Sequence, residues 1–159
     1  MNLTCYLKNG SVLVLASFCY TDFHFKAGIS AMSETSQFNG SCLCGGVAYR
    51  AEGPVRHASH CYCTMCQKQH GAAAGSYANV DRAGYVVERG ADLVTEYASS
   101  DHGRRGFCRV CGSTLFWRST QSPDRIAITL GTLEREYDGP VQRELYVENK
   151  PGWLPVRER

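Results

Sequence analysis

From residue 38 onward, apolar and polar side chains alternate in short runs that glycine and proline cut off. Val47, Tyr49 and Ala51 alternate with Ala48, Arg50 and Glu52 before Gly53-Pro54 ends the run, which is the period-2 signature of a half-buried strand closed by a turn. Similar runs predict strands over 55–59, 73–80, 85–88, 93–98, 106–107, 114–118, 126–130 and 143–147. Short strands at this spacing predict an all-β domain. The exception is 64–70, which reads as a turn or two of helix with Thr64 placed to cap its exposed amides.

The first 37 residues show no clear period. The apolar run from Val12 to Phe18 is far too short to cross a bilayer, and Asp22, His24 and Lys26 interrupt any approach to a signal cleavage site. The expectation is an N-terminal extension over 1–37 outside the fold, with Met32 as a candidate true start, followed by one domain over 38–155. A length of 159 residues suits one domain. With 43% hydrophobic and 20% charged residues and no long run of one charge sign, the chain has neither a disordered arm nor a nucleic-acid-binding tail. The formal charge of +2 counts cysteines as neutral; thiolates around two divalent ions would bring it to about −1, so no argument from basicity holds.

Cysteine changes the picture most. Seven of the nine cysteines fall in three clusters: Cys42-Leu43-Cys44, Cys61-Tyr62-Cys63-Thr64-Met65-Cys66 and Cys108-Arg109-Val110-Cys111. A disulfide framework expects an even set spread through a short secreted chain, whereas two- and three-residue steps gather thiolates around an ion. Cys108 and Cys111 straddle a turn followed by Gly112, the form of a zinc knuckle, and Cys42 and Cys44 are followed by Gly45-Gly46. Those two pairs make one closed four-thiolate zinc site, expected to be structural. Cys61, Cys63 and Cys66 then hold a second zinc with an open position where the chemistry is expected. His60 and His70 are alternative fourth ligands, and a closed three-cysteine, one-histidine site stays open at this point. Thiolate ligands persist in a reducing compartment, which predicts a cytoplasmic protein.

The chain resembles the glutathione-dependent formaldehyde-activating enzymes, whose wider group includes centromere protein V. The resemblance rests on Gly40-Ser41-Cys42-Leu43-Cys44-Gly45-Gly46-Val47-Ala48-Tyr49, on Cys61 to Lys68, on Phe107 to Ser113, and on the ending Glu144-Leu145-Tyr146-Val147-Glu148-Asn149-Lys150-Pro151-Gly152-Trp153. It implies a β-tent fold of antiparallel strands, a structural zinc on Cys42, Cys44, Cys108 and Cys111, and a second zinc on Cys61, Cys63 and Cys66. It also implies a carbon–sulfur lyase that joins a thiol such as glutathione to an aldehyde such as formaldehyde, giving S-hydroxymethylglutathione. One position departs from the family: Tyr62 stands where histidine is often found, so a proton-transfer role for that histidine does not carry over.

At such a site a coordinated substrate thiol becomes a thiolate and attacks a carbonyl carbon. Lys68, Arg104, Arg105 and Arg109 adjoin the clusters as candidates to steer an anionic thiol, and Tyr62, Tyr77, Phe116 and Trp117 are candidates to line its pocket. His57, His102 and the carboxylates form no recognisable triad, and no phosphate loop, dinucleotide fingerprint or nucleophile elbow is present. The rival reading is a non-catalytic zinc-built binding module or a carrier of the glutathione adduct.

Overall fold

The structure, a computed structural model, describes residues 37–135 and 137–154. The expected N-terminal extension lies outside the described residues, apart from Gln37, which opens the first strand. Strands dominate: β1 (Gln37–Ser41), β2 (Ala48–Glu52), β3 (His57–Cys61), β4 (Gly75–Asp81), β5 (Tyr85–Arg89), β6 (Val94–Ala98), β7 (Gly103–Cys108), β8 (Thr114–Ser119), β9 (Ser122–Thr129) and β10 (Arg143–Leu145). The helix α1 spans Thr64–His70. Among the described residues, no helix is long and apolar enough to cross a membrane.

The strands form a three-stranded sheet ordered β1-β2-β5 and a seven-stranded sheet ordered β10-β3-β4-β9-β8-β7-β6. The pairings are antiparallel except β10 with β3, which runs parallel and sets Leu145 opposite Cys61. Between the sheets lies the main core, where Val47 and, from β2, Tyr49 and Ala51 meet Ala78 and Val80 of β4, Phe116 of β8, and Ile126 and Ile128 of β9. Tyr85 of β5 stacks its ring 5.1 Å from Tyr49 and 5.6 Å, edge-on, from Phe116, in the separation range that aromatic pairs prefer.

Because side chains alternate across a strand, the residues between these core positions face the other way. Register aligns them in one row across five strands: His57 opposite Asn79, Asn79 opposite Ala127, Ala127 opposite Trp117, and Trp117 opposite Arg105. This row floors the candidate site. Phe116 and Trp117, adjacent in sequence, therefore divide between the core and the site.

Gly106 sits where the Phe116 ring covers β7, and a Cβ there would fall within contact of several ring atoms. Gly106→Ala is expected to displace Phe116 from the core and destabilise the domain by about 1–3 kcal/mol, measured as a lower urea midpoint; an unchanged midpoint would show that the ring can retreat without loss.

Candidate metal centres and the cavity beside them

Two groups of cysteine sulfurs lie within 4.8 Å of one another, Cys42 with Cys44, Cys108 and Cys111, and Cys61 with Cys63 and Cys66. These are the sets expected from spacing. All seven are free cysteines, which removes the disulfide reading for the described ones.

The four-cysteine group is assembled by two turns at strand ends. After β1, the Gly45 amide donates to the Cys42 carbonyl at 2.9 Å, and Gly45 takes the left-handed φ of 70° that this turn needs. After β7, the Gly112 amide donates to the Cys108 carbonyl at 2.8 Å, with φ of 78°. A backbone amide addresses one of the sulfurs, with Val47 N donating to Cys42 Sγ at 3.2 Å. Ser113 joins the two turns, accepting from Leu43 N at 2.9 Å while its hydroxyl lies 3.3 Å from Cys111 Sγ. The Ser113 hydroxyl and amide pull the Cys111 thiol down to about 5. Four clustered thiols, one already favouring its anion, are the donor set of a closed tetrahedral zinc site. They connect the small sheet to the β7–β8 turn of the large one.

The three-cysteine group is built at the start of α1. Cys61 ends β3, Cys63 caps the helix by accepting from Cys66 N at 3.4 Å, and Cys66 lies in the first turn. The cap is thus the sulfur of Cys63 and not the hydroxyl of Thr64. The helix ends at Gly71, in left-handed conformation with its amide on the Gln67 carbonyl. Hydrogen bonding from Cys61 and, more weakly, from Tyr77 and Arg105 pulls the Cys66 thiol down to about 4, and Cys61 is pushed up correspondingly. Tyr77 Oη lies 3.6 Å from Cys66 Sγ and 2.7 Å from His70 Nε2. Burial raises the Tyr77 hydroxyl and lowers the His70 imidazole, so both are neutral near pH 7. A thiolate only accepts, so Tyr77 donates to Cys66 and His70 donates from Nε2 to the tyrosine oxygen. Neither ring nitrogen of His70 falls in the cluster formed by the three cysteine sulfurs. Gly75 makes the pair possible, since a Cβ there would meet Tyr77 at 2.7 Å and His70 at 2.9 Å. His60 is turned to Ser76, with Nδ1 2.9 Å from its hydroxyl.

Cys61, Cys63 and Cys66 line a cavity of about 320 Å³ together with Tyr77, Arg105 and Trp117, and none of the four other cysteines lines it. A second cavity of about 320 Å³, lined by Gln121, Ser122 and Arg125 among others, shares Asn79, His102, Trp117 and Ala127 with the first. The two form one groove along the row of aligned residues.

The candidate cations separate clearly. Arg105 is only 4% exposed and its Nη1 donates to Cys66 Sγ at 3.6 Å. Arg104 is held on the carbonyls of Ser100, Asp101 and Gly103, Arg109 turns to Asp92, and Lys68 is exposed. Of the four candidate pocket aromatics, Tyr77 and Trp117 line the groove while Phe116 lies in the core.

Tyr62 points away from the cavity. Its hydroxyl donates to Glu144 Oε1 at 3.0 Å, Lys150 donates to the same oxygen at 2.9 Å, and the Lys150 ammonium stands 4.6 Å above the Tyr62 ring. Gln67 donates to the Tyr62 carbonyl at 2.6 Å and the Asn149 carbonyl at 2.8 Å. The cysteine loop and the segment around β10 are thereby laced together, and this brings Leu145 and Tyr146 to the cavity wall. Sequence reading missed that wall: β10 stops at Leu145 because Tyr146 turns left-handed, with φ of 58°. Tyr62→Phe is expected to cost about 0.5–1.5 kcal/mol with metal content unchanged, and to speed proteolysis within 142–150; equal cleavage rates would show that the remaining contacts hold the segment.

The family model described as glutathione-dependent formaldehyde-activating enzyme matches residues 37–149. Among solved structures, a Rhodobacter sphaeroides protein is similar at 25% identity and a TM-score of 0.55, over 65% of this chain and 96% of the other. No match was found among the curated proteins.

Proposed function

The chain belongs to the glutathione-dependent formaldehyde-activating enzyme family, and from that premise we propose that it is a zinc-dependent carbon–sulfur lyase acting on a thiol adduct, such as that of glutathione with formaldehyde. The observation that carries this reading is that the three-cysteine group opens on a cavity whose lining includes none of the four-cysteine group. Cys61, Cys63 and Cys66 would hold the catalytic zinc, and Cys42, Cys44, Cys108 and Cys111 the structural one. Bound in the three-cysteine site, zinc supplies a position at which a thiol is deprotonated at neutral pH.

The chain's own residues organise the rest. The groove beside the cysteines gives a tripeptide-sized thiol room for its body, with Trp117 on the wall and the half-exposed Arg125 in the second cavity to meet a tail carboxylate. Tyr77, fixed by His70, and the buried Arg105 both address Cys66 and so hold the reacting end of the cavity in one arrangement. In the synthetic direction the substrate sulfur forms a bond to the carbonyl carbon. The C=O π pair moves to oxygen, which takes up a proton from solvent to give the hydroxymethyl thioether. The reverse reaction breaks the same C–S bond. Seven free thiols in two ligand sets support a cytoplasmic location, where they stay reduced.

The test is exchange NMR on glutathione and formaldehyde with the zinc-loaded protein. Faster interconversion of free and hydroxymethylated glutathione than in the buffer control is expected; a rate equal to the control would contradict the proposal.

A further inference from the structure

Arg105 stands out among the buried groups. It is 4% exposed, it forms no ion pair with a carboxylate among the described residues, and its Nε is buried without a hydrogen-bond partner. Its guanidinium donates instead to Cys66 Sγ. A guanidinium stays charged at any physiological pH, and a buried charge without a counter-ion is strongly disfavoured. The anion that justifies Arg105 is therefore the cysteine cluster itself. Three thiolates exceed the charge of a divalent ion by one, and a substrate thiolate in the open position raises the excess to two in surroundings of low dielectric.

We propose that Arg105 is the counter-charge that lets the three-cysteine site accept a fourth, anionic sulfur. The proposal rests on the reading of that site as an open zinc centre. Arg105 would thus select for thiolates as a class, acting on the charge of the sulfur and not on the carboxylates of the thiol's tail. Its place in the register, opposite Trp117 and Tyr97, puts it on the row that floors the cavity, from which it reaches Cys66 on α1.

The test uses the full chain loaded with cobalt(II) at both sites and titrated with glutathione, with uncharged 2-mercaptoethanol and with neutral imidazole, reading the thiolate-to-cobalt charge-transfer band and the visible cobalt bands. Arg105→Gln keeps polar donors and removes the charge. It is expected to bind both thiols about tenfold to a hundredfold more weakly and imidazole as tightly as the wild type. Arg105→Lys should restore most of the thiol affinity. If Arg105→Gln binds thiols like the wild type, or weakens imidazole equally, the counter-charge role is overturned; weakening for glutathione alone would overturn it in favour of a carboxylate anchor. Should Arg105→Gln fail to fold, Arg105→Lys decides alone, because retained thiol affinity upholds the role of charge and its loss overturns it. A wild-type spectrum that ignores every thiol would overturn the open-site reading as well, which separates the two failures.

Discussion

Cys108→Ser is expected to lose the metal of the four-cysteine site and to unfold most of the domain at room temperature. Cys108 ends β7, is fully buried, belongs to the main core, and has its sulfur 4.0 Å from that of Cys44, 64 residues away in sequence. The ion held there would close that long loop and join the two sheets. Binding of a structural zinc is worth about 10–16 kcal/mol in small zinc domains, as large as the whole net stability of about 5–15 kcal/mol of a typical domain. Losing one of four thiolates removes a large share of it and leaves a serine hydroxyl buried in an apolar setting. Circular dichroism and metal analysis on the same sample check this: the folded signal and the zinc content should fall together. A variant that melts like the wild type while lacking that ion would show that packing alone holds the sheets.

Cys66→Ser should behave in the opposite way, with the fold kept, one metal ion lost and the C–S exchange rate reduced to the uncatalysed value. Cys66 belongs to a small satellite cluster with Cys61, Tyr77 and Ala127, separate from the main core. The helix that carries it is seven residues long. Its loss is expected to loosen α1 at a cost of about 1–3 kcal/mol, the usual penalty for disturbing one buried hydrogen-bonded group, and to leave both sheets paired. Removing one of three ligands also lets Arg105 lose its counter-ion, so the variant should bind thiols no better than apoprotein does. Residual exchange activity at half the wild-type rate or above would place the chemistry elsewhere.

The two outcomes differ because the four-cysteine group joins the two sheets at the main core, whereas the three-cysteine group sits at the start of α1 in the satellite cluster, a distinction only partly visible in sequence. Local spacing was enough to partition the cysteines, since each pair falls within one turn and the triplet within the short step from the end of β3 to the first turn of α1. The strand run from Val47 was legible because β2 alternates between core and surface. By contrast, β1 carries the sequence Gln37-Phe38-Asn39-Gly40-Ser41, with Gly40 as its buried position. It forms a strand by pairing with β2, which no local pattern announces. Only the end of β7 was anticipated, because Gly103, Arg104 and Arg105 offer no apolar alternation; strands on both sides impose the conformation. Arg105 was named as one of four candidate cations, yet nothing near it in sequence distinguished it from Arg104. The distinction comes from register, which turns Arg105 toward Cys66 and leaves Arg104 on loop carbonyls. The wall made by Leu145 and Tyr146 depends on a parallel pairing between residues far apart in the chain, which sequence periodicity does not encode.

The claim on which this account depends is that one zinc site is complete and the other lacks one ligand. X-ray absorption at the zinc edge, on protein shown to carry two ions, measures it directly as sulfur ligands per zinc. Seven cysteine sulfurs shared over the two sites are expected, rising to eight when glutathione is added, with one lighter ligand lost in exchange. A shell that holds a histidine nitrogen and does not change with any thiol would contradict it.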